Sequence, residues 1–168
     1  MLLQAGTGAF AGSALGLAAN FYENSCPTTI IVEPTVADCH YRSAASDEIV
    51  NIGGDMQTIM EGLACGEPNI LSWDIINNWA SYFVSMDDKS AALGMRTLGI
   101  PLPGDPRIIS GESGASTMGC LMEILTHNKE LRHHAGINQD SHILLFSTEG
   151  DTNPESYKEI LWTKDYQK

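Results

Sequence analysis

The chain has 168 residues, enough for one domain with a buried core, and its 43% apolar content is that of a globular protein rather than a disordered one. Its formal charge of −12, with Arg42 the only Lys or Arg before Lys89, excludes a nucleic-acid surface, because holding phosphodiesters depends on clustered basic side chains. No apolar run is long enough to cross a bilayer, stretch 9–19 lacks a basic leader, and Cys26, Cys39, Cys65 and Cys120 form no C-x-x-C pair, so membrane, export and zinc are not expected and a cytoplasmic setting with reduced thiols is.

The chain opens on Leu2-Leu3-Gln4-Ala5-Gly6-Thr7-Gly8-Ala9-Phe10-Ala11-Gly12. A short apolar run enters a glycine-rich turn and an Ala/Leu/Gly helix leaves it. This arrangement holds phosphate, because unpaired N–H groups and the positive end of the helix dipole converge there. Thr7 is placed to add a hydroxyl contact. Close helix-to-strand packing with no ligand is the alternative reading of the same glycines. Gly6, Gly8 and Gly12 also approach a dinucleotide fingerprint, with Glu33 available for a ribose hydroxyl, but the spacing is one residue too long and Pro34 follows at once.

The helix is predicted over 9–23, with Phe10, Ala14, Leu17, Ala18 and Phe21 on its apolar side, followed by a strand over 28–33. Strand, helix, strand at this spacing predicts a right-handed βαβ unit. Residues 38–43 read as a polar segment in which His40 faces solvent or, alternatively, substrate. Next come a helical turn near 58–66, a helix over 69–80, a strand over 82–86 and a helix capped by Asp87 and Asp88 that runs to Gly99. A proline-rich loop precedes a strand at 107–110, a second glycine turn at 111–115 and a helix near 115–127. A short helix near 129–135 leads to 142–148, the clearest strand pattern in the chain. A helix over 153–162 and a fraying tail complete the elements. The fold class is therefore α/β, an open and mostly parallel sheet flanked by helices, with 1–168 as a single domain. Ligands of such sheets bind at the carboxyl ends of the strands, so the turns at 5–9, 110–115 and 147–152 are expected to line one crevice.

Ala5-Gly6-Thr7-Gly8-Ala9, Ile31-Val32-Glu33-Pro34, Gly111-Glu112-Ser113-Gly114-Ala115 and Ser147-Thr148-Glu149-Gly150-Asp151 resemble, in order and spacing, the fold-type II pyridoxal phosphate enzymes, the tryptophan synthase β-like group. More closely, Ala37-Asp38-Cys39-His40-Tyr41-Arg42-Ser43 and Gly62-Leu63-Ala64-Cys65-Gly66-Glu67-Pro68-Asn69 resemble the carboxyl-terminal portion of the diaminopropionate ammonia-lyase family. The resemblance implies amino-acid catabolism by a lyase that converts 2,3-diaminopropionate to pyruvate and ammonia, with pyridoxal 5'-phosphate as cofactor and a small amino acid as substrate. It places Gly6, Thr7, Gly8 and Ala9 on the cofactor phosphate, Gly62 beside the ring, and Thr148, or Ser147 beside it, at the pyridine nitrogen. A neutral hydroxyl there cannot keep that nitrogen protonated, which favours prompt β-elimination over a long-lived carbanion.

The family's cofactor-bearing lysine matches none of Lys89, Lys129, Lys158, Lys164 and Lys168, and its proton-transfer residues belong to an amino-terminal half that has no counterpart here. No catalytic residue and no metal ligand is therefore assigned. The expectation is a fragment or partial domain, inactive alone, that forms a homo-oligomer or associates with the missing half. Apolar surface at Leu2 and Leu3 would promote that association. A non-catalytic phosphate- or dinucleotide-binding module is the alternative. Cys39 and Cys65 flank the two loops nearest the crevice, and a bridge between them would clamp both.

Overall fold

The computed structural model describes residues 1–163. Three parallel strands, β1 (Leu2–Gln4), β2 (Ile30–Pro34) and β3 (Tyr82–Met86), pair in the order β1-β2-β3, with Leu2 opposite Ile30 and Ile30 opposite Tyr82. Helix α1 (Ala9–Tyr22) connects β1 to β2, while α2 (Cys39–Ser46) and α3 (Ile70–Trp79) lie between β2 and β3. Beyond β3 come α4 (Asp88–Gly99), α5 (Glu112–Thr126), α6 (Lys129–His134) and α7 (Pro154–Trp162). Among the described residues no helix is long and apolar enough to cross a membrane.

Alternation along the strands divides the core in two. Leu2, Ile30 and Val32 face Met60, Met95, Ala115 and Ile124 on the side of α4 and α5. Leu3 and Ile31 face Leu15, Trp73 and Ile76 on the side of α1 and α3. Leu2 and Leu3 are thus 2% and 0% exposed, which overturns the expectation that they form an open apolar surface. The apolar side expected for α1 is likewise reversed. Its small residues Ala11, Gly12 and Ala19, together with Leu15, turn inward, and Phe10, Leu17 and Phe21 stand out from the surface. Close approach decides this, because a Cβ on Gly12 would lie 2.8 Å from the Ser72 side chain of α3. At α4 and α5 the approach is closer still: a Cβ on Gly94 would meet the Ala115 carbonyl at 2.2 Å, and one on Gly119 the Ser90 carbonyl at 1.9 Å.

Two expected strands are absent from the sheet. Segment 142–148 runs alongside β1 in the same direction, but the Leu2 N–H to Leu144 carbonyl bond, 3.1 Å, is the backbone link between them. The β1 strand has only three residues to offer, and the Phe146 carbonyl is taken instead by the Gln4 side chain. Segment 107–110 bonds through the Ile108 N–H to the Leu98 carbonyl at the end of α4, away from any strand, and its Ile108 and Ile109 are exposed. Helix α2, read from sequence as an irregular polar stretch, buries Cys39, His40 and Ser43. The tail expected to fray includes 164–168, which lie outside the described residues.

Candidate functional site

Helix α1 begins on Gly8, whose φ of 84° is left-handed backbone open to glycine at little cost. A side chain there would also strike His40, whose Nε2 would lie 2.3 Å from the added Cβ. No side chain caps the helix, and its first turn carries no acidic residue. The N–H groups at this terminus therefore have no side-chain acceptor among the described residues and contribute the positive end of the helix dipole. Asn69 secures the loop from behind, its N–H donating to the Thr7 carbonyl at 2.8 Å.

Three other turns close a ring with this loop. A Cβ on Gly6 would meet the Gly62 carbonyl at 3.0 Å, so residues 5–9 abut the 3-10 turn Glu61–Leu63. The Gly62 N–H donates to Ser113 Oγ, 3.1 Å, which ties that turn to the start of α5. Gly114 packs against the Thr148 main chain, with a Cβ there 3.1 Å from the Thr148 nitrogen, and Glu149 Oε1 accepts from the Gly114 N–H at 2.9 Å. Gln4 Nε2 donates to Thr148 Oγ1 at 2.8 Å and returns the ring to β1, two residues before Gly6. Gly6, Thr7, Gly8, Ala9, Gly62, Ser147 and Thr148 are thus gathered at the carboxyl end of β1, although 147–148 do not belong to a strand. Ser147 and Thr148 are both exposed; the Ser147 hydroxyl donates to Ser110 Oγ at 2.9 Å, whereas Thr148 Oγ1 accepts from Gln4. Gln4 and Ser110 were not anticipated from sequence; a polar residue inside an apolar strand was the available signal for Gln4.

The neighbouring side chains sort themselves by partner. Glu149 turns toward the amino end of α5, where its carboxylate serves as a cap. Glu33 is fully buried; its Oε1 accepts from the His40 N–H at 3.0 Å and lies 2.7 Å from His40 Nδ1, and its Oε2 accepts from the Tyr41 N–H at 2.7 Å. A carboxylate so enclosed has no reach to a ribose, which removes the dinucleotide reading. His40 is 0% exposed, which corrects its expected solvent position. The four cysteines are free thiols, in keeping with the expected reduced state, and the alternative of a Cys39–Cys65 bridge is not realised. Cys39 Sγ lies instead 3.6 Å from Glu33 Oε1 and 3.9 Å from the Gly6 carbonyl. Burial, reinforced by the Glu33 charge, pushes its thiol up to about 12, and burial does the same for Cys120. Glu33, Cys39 and His40 carry metal-ligating atoms within 4.8 Å of one another and bond to each other beneath the loop, with His40 Nε2 buried and without a partner among the described residues. Next to Gly62 and Ser113 lies a cavity of about 350 Å³, edged by the carboxylates of Glu61, Glu112, Glu149, Glu155 and Glu159.

Residues 1–148 match the family of pyridoxal-phosphate dependent enzymes. The Escherichia coli (strain K12) diaminopropionate ammonia-lyase is 52% identical over 164 residues, which are 96% of this chain and 41% of that protein. The chain therefore spans about two fifths of the length of this curated relative. The crystal structure of the Escherichia coli enzyme in complex with an aminoacrylate-PLP azomethine reaction intermediate is similar to this chain with a TM-score of 0.88 and 48% identity, over 96% of this chain and 41% of that one. The processed threonine deaminase isoform 2 of Solanum lycopersicum shares the fold, with a TM-score of 0.74 at 13% identity over 96% of this chain and 44% of that one.

Proposed function

The chain belongs to the family of pyridoxal-phosphate dependent enzymes, and on that premise we propose that it is the part of a 2,3-diaminopropionate ammonia-lyase that grips the cofactor's phosphate and its ring nitrogen. The observation that supports the reading is the ring of turns, in which an uncapped helix terminus and an exposed hydroxyl are joined through Gln4 of β1.

Pyridoxal phosphate, when bound, supplies an electron sink for loss of a proton and then of an amino group. The residues present suit that group. Main-chain N–H groups of Gly6, Thr7, Gly8 and Ala9 bind its phosphate with the help of the α1 dipole, which an acidic chain without nearby Lys or Arg requires. Gly62 lets backbone pass beside the ring. Thr148, rather than Ser147, meets the pyridine nitrogen, since the Ser147 proton is committed to Ser110 Oγ or the Glu149 carbonyl, whereas Thr148 Oγ1 accepts from Gln4 and keeps its own proton free. Glu149 is held at the Gly114 N–H, so its carboxylate is not available to keep that nitrogen protonated. The carboxylates around the adjoining cavity give the crevice a negative field that suits a substrate with two amino groups.

Turnover needs the cofactor-bearing lysine and the proton-transfer residues carried by the rest of such an enzyme. The chain acts as a partial domain, inactive alone, and works joined to or associated with that remainder. The test is to titrate the chain with pyridoxal phosphate, then add the portion of the Escherichia coli relative that it does not span, and assay pyruvate from 2,3-diaminopropionate. Cofactor uptake by the chain and pyruvate release by the combined polypeptides are expected. Uptake without pyruvate from the combination returns the chain to a non-catalytic phosphate-binding module.

A further inference from the structure

We propose that Gln4 is a positioning residue whose side-chain amide fixes the Thr148 hydroxyl as a hydrogen-bond donor toward the cofactor's pyridine nitrogen. The inference rests on the reading of the cofactor site given above. Gln4 is 3% exposed, and its Nε2 lies 3.0 Å from the Phe146 carbonyl oxygen and 2.8 Å from Thr148 Oγ1. A carbonyl oxygen only accepts, so Phe146 dictates that the amide nitrogen faces this way. That nitrogen carries two protons and gives one to each oxygen. Gln4 Oε1 points elsewhere, buried and without a partner among the described residues.

The polarity of Thr148 follows. Gln4 occupies a lone pair of its oxygen, so the hydroxyl's own proton is directed away from Gln4 while the residue stands exposed at the crevice. A pyridine nitrogen without a proton is an acceptor, and a hydroxyl held as a donor is its complement. Glutamate is nearly isosteric with Gln4 but reverses this arrangement. A carboxyl oxygen in the Nε2 position has at most one proton, which the Phe146 carbonyl claims, so it faces Thr148 as an acceptor and draws the hydroxyl proton toward itself.

The test compares wild type, Gln4→Met, Gln4→Glu, Thr148→Val and the Gln4→Glu/Thr148→Val pair by pyridoxal phosphate affinity and by the resonance of the ring nitrogen in 15N-labelled cofactor. Gln4→Glu and Thr148→Val are each expected to weaken binding about tenfold, and the pair by about the same tenfold because both remove one hydrogen bond. Gln4→Met, which offers Thr148 no acceptor, is expected to weaken it about threefold or less. The nitrogen resonance moves toward the free, unprotonated position in Gln4→Glu and stays near wild type in Gln4→Met. In the cofactor-free chain, Thr148→Val shifts one of the two Gln4 side-chain amide protons and leaves the other. Equal losses in Gln4→Met and Gln4→Glu, or unmoved amide protons in Thr148→Val, overturn the inference alone and leave Gln4 as a tether of segment 142–148. A wild-type chain that takes up no cofactor removes the reading of the site and this inference with it.

Discussion

Two glycine-bearing turns each lead into a helix, and they treat the helix terminus in opposite ways. At α5 the protein supplies the anion itself: Glu149 reaches the Gly114 N–H, and Ser113 is engaged with Gly62. At α1 nothing fills that place, and Gly8 keeps the terminus free of any side chain. The difference separates a terminus completed by its own chain from one that no side chain caps among the described residues. Support is arranged differently too, since the first turn rests on the buried Glu33–His40–Cys39 cluster while the second is clasped from outside.

The largest effect expected on this contrast comes from Gly8→Ala, which combines positive φ with a collision against His40. It should weaken pyridoxal phosphate binding about 100-fold and cost about 3 kcal/mol in urea unfolding. Glu33→Gln keeps one acceptor for four donors and should cost about 2 kcal/mol, with the loss of order concentrated in the 5–9 loop by hydrogen exchange. Glu149→Ala should cost about 1 kcal/mol, as loss of a helix cap does, and leave phosphate affinity at the first turn unchanged; a matching fall in affinity would break the contrast. The smallest effect is alkaline. Cys39 lies under the first turn and Cys120 in the helix after the second, and each thiol is pushed from its ordinary 9.0 to about 12. Their protonated forms are favoured by the fold, so stability is level below pH 9 and falls between there and about 12, as the unfolded chain ionises first. At pH 10 the fall should be about 1 kcal/mol per thiol, and Cys39→Ala and Cys120→Ala should each remove one share.

Much of this was readable in residues. Unbroken apolar pairs at Leu2-Leu3 and Ile30-Ile31 fit a sheet covered on both faces, and Asp87 caps α4 as its position predicts. The glycine turn at 5–9 carried its own chemistry. Helix α2 was hidden because its inward face is Cys39, His40 and Ser43, drawn in by a buried carboxylate rather than by apolar periodicity. Segment 142–148 has β-forming composition, but composition cannot report that its neighbour offers three residues and a side-chain amide in place of a ladder. The outward face of α1 was misassigned because Phe10, Leu17 and Phe21 are apolar, while the packing side was chosen by how closely Gly12 approaches Ser72.

The contact of α4 with α5 limits anyone wishing to reshape the crevice. Where Gly94 and Gly119 bring two backbones together there is no compressible side chain to absorb a displacement, so the pair behaves as a stiff beam beneath the second turn. Engineered changes of ligand size must be accommodated by the loops at 5–9 and 61–65, since widening the beam would mean prising apart main chains.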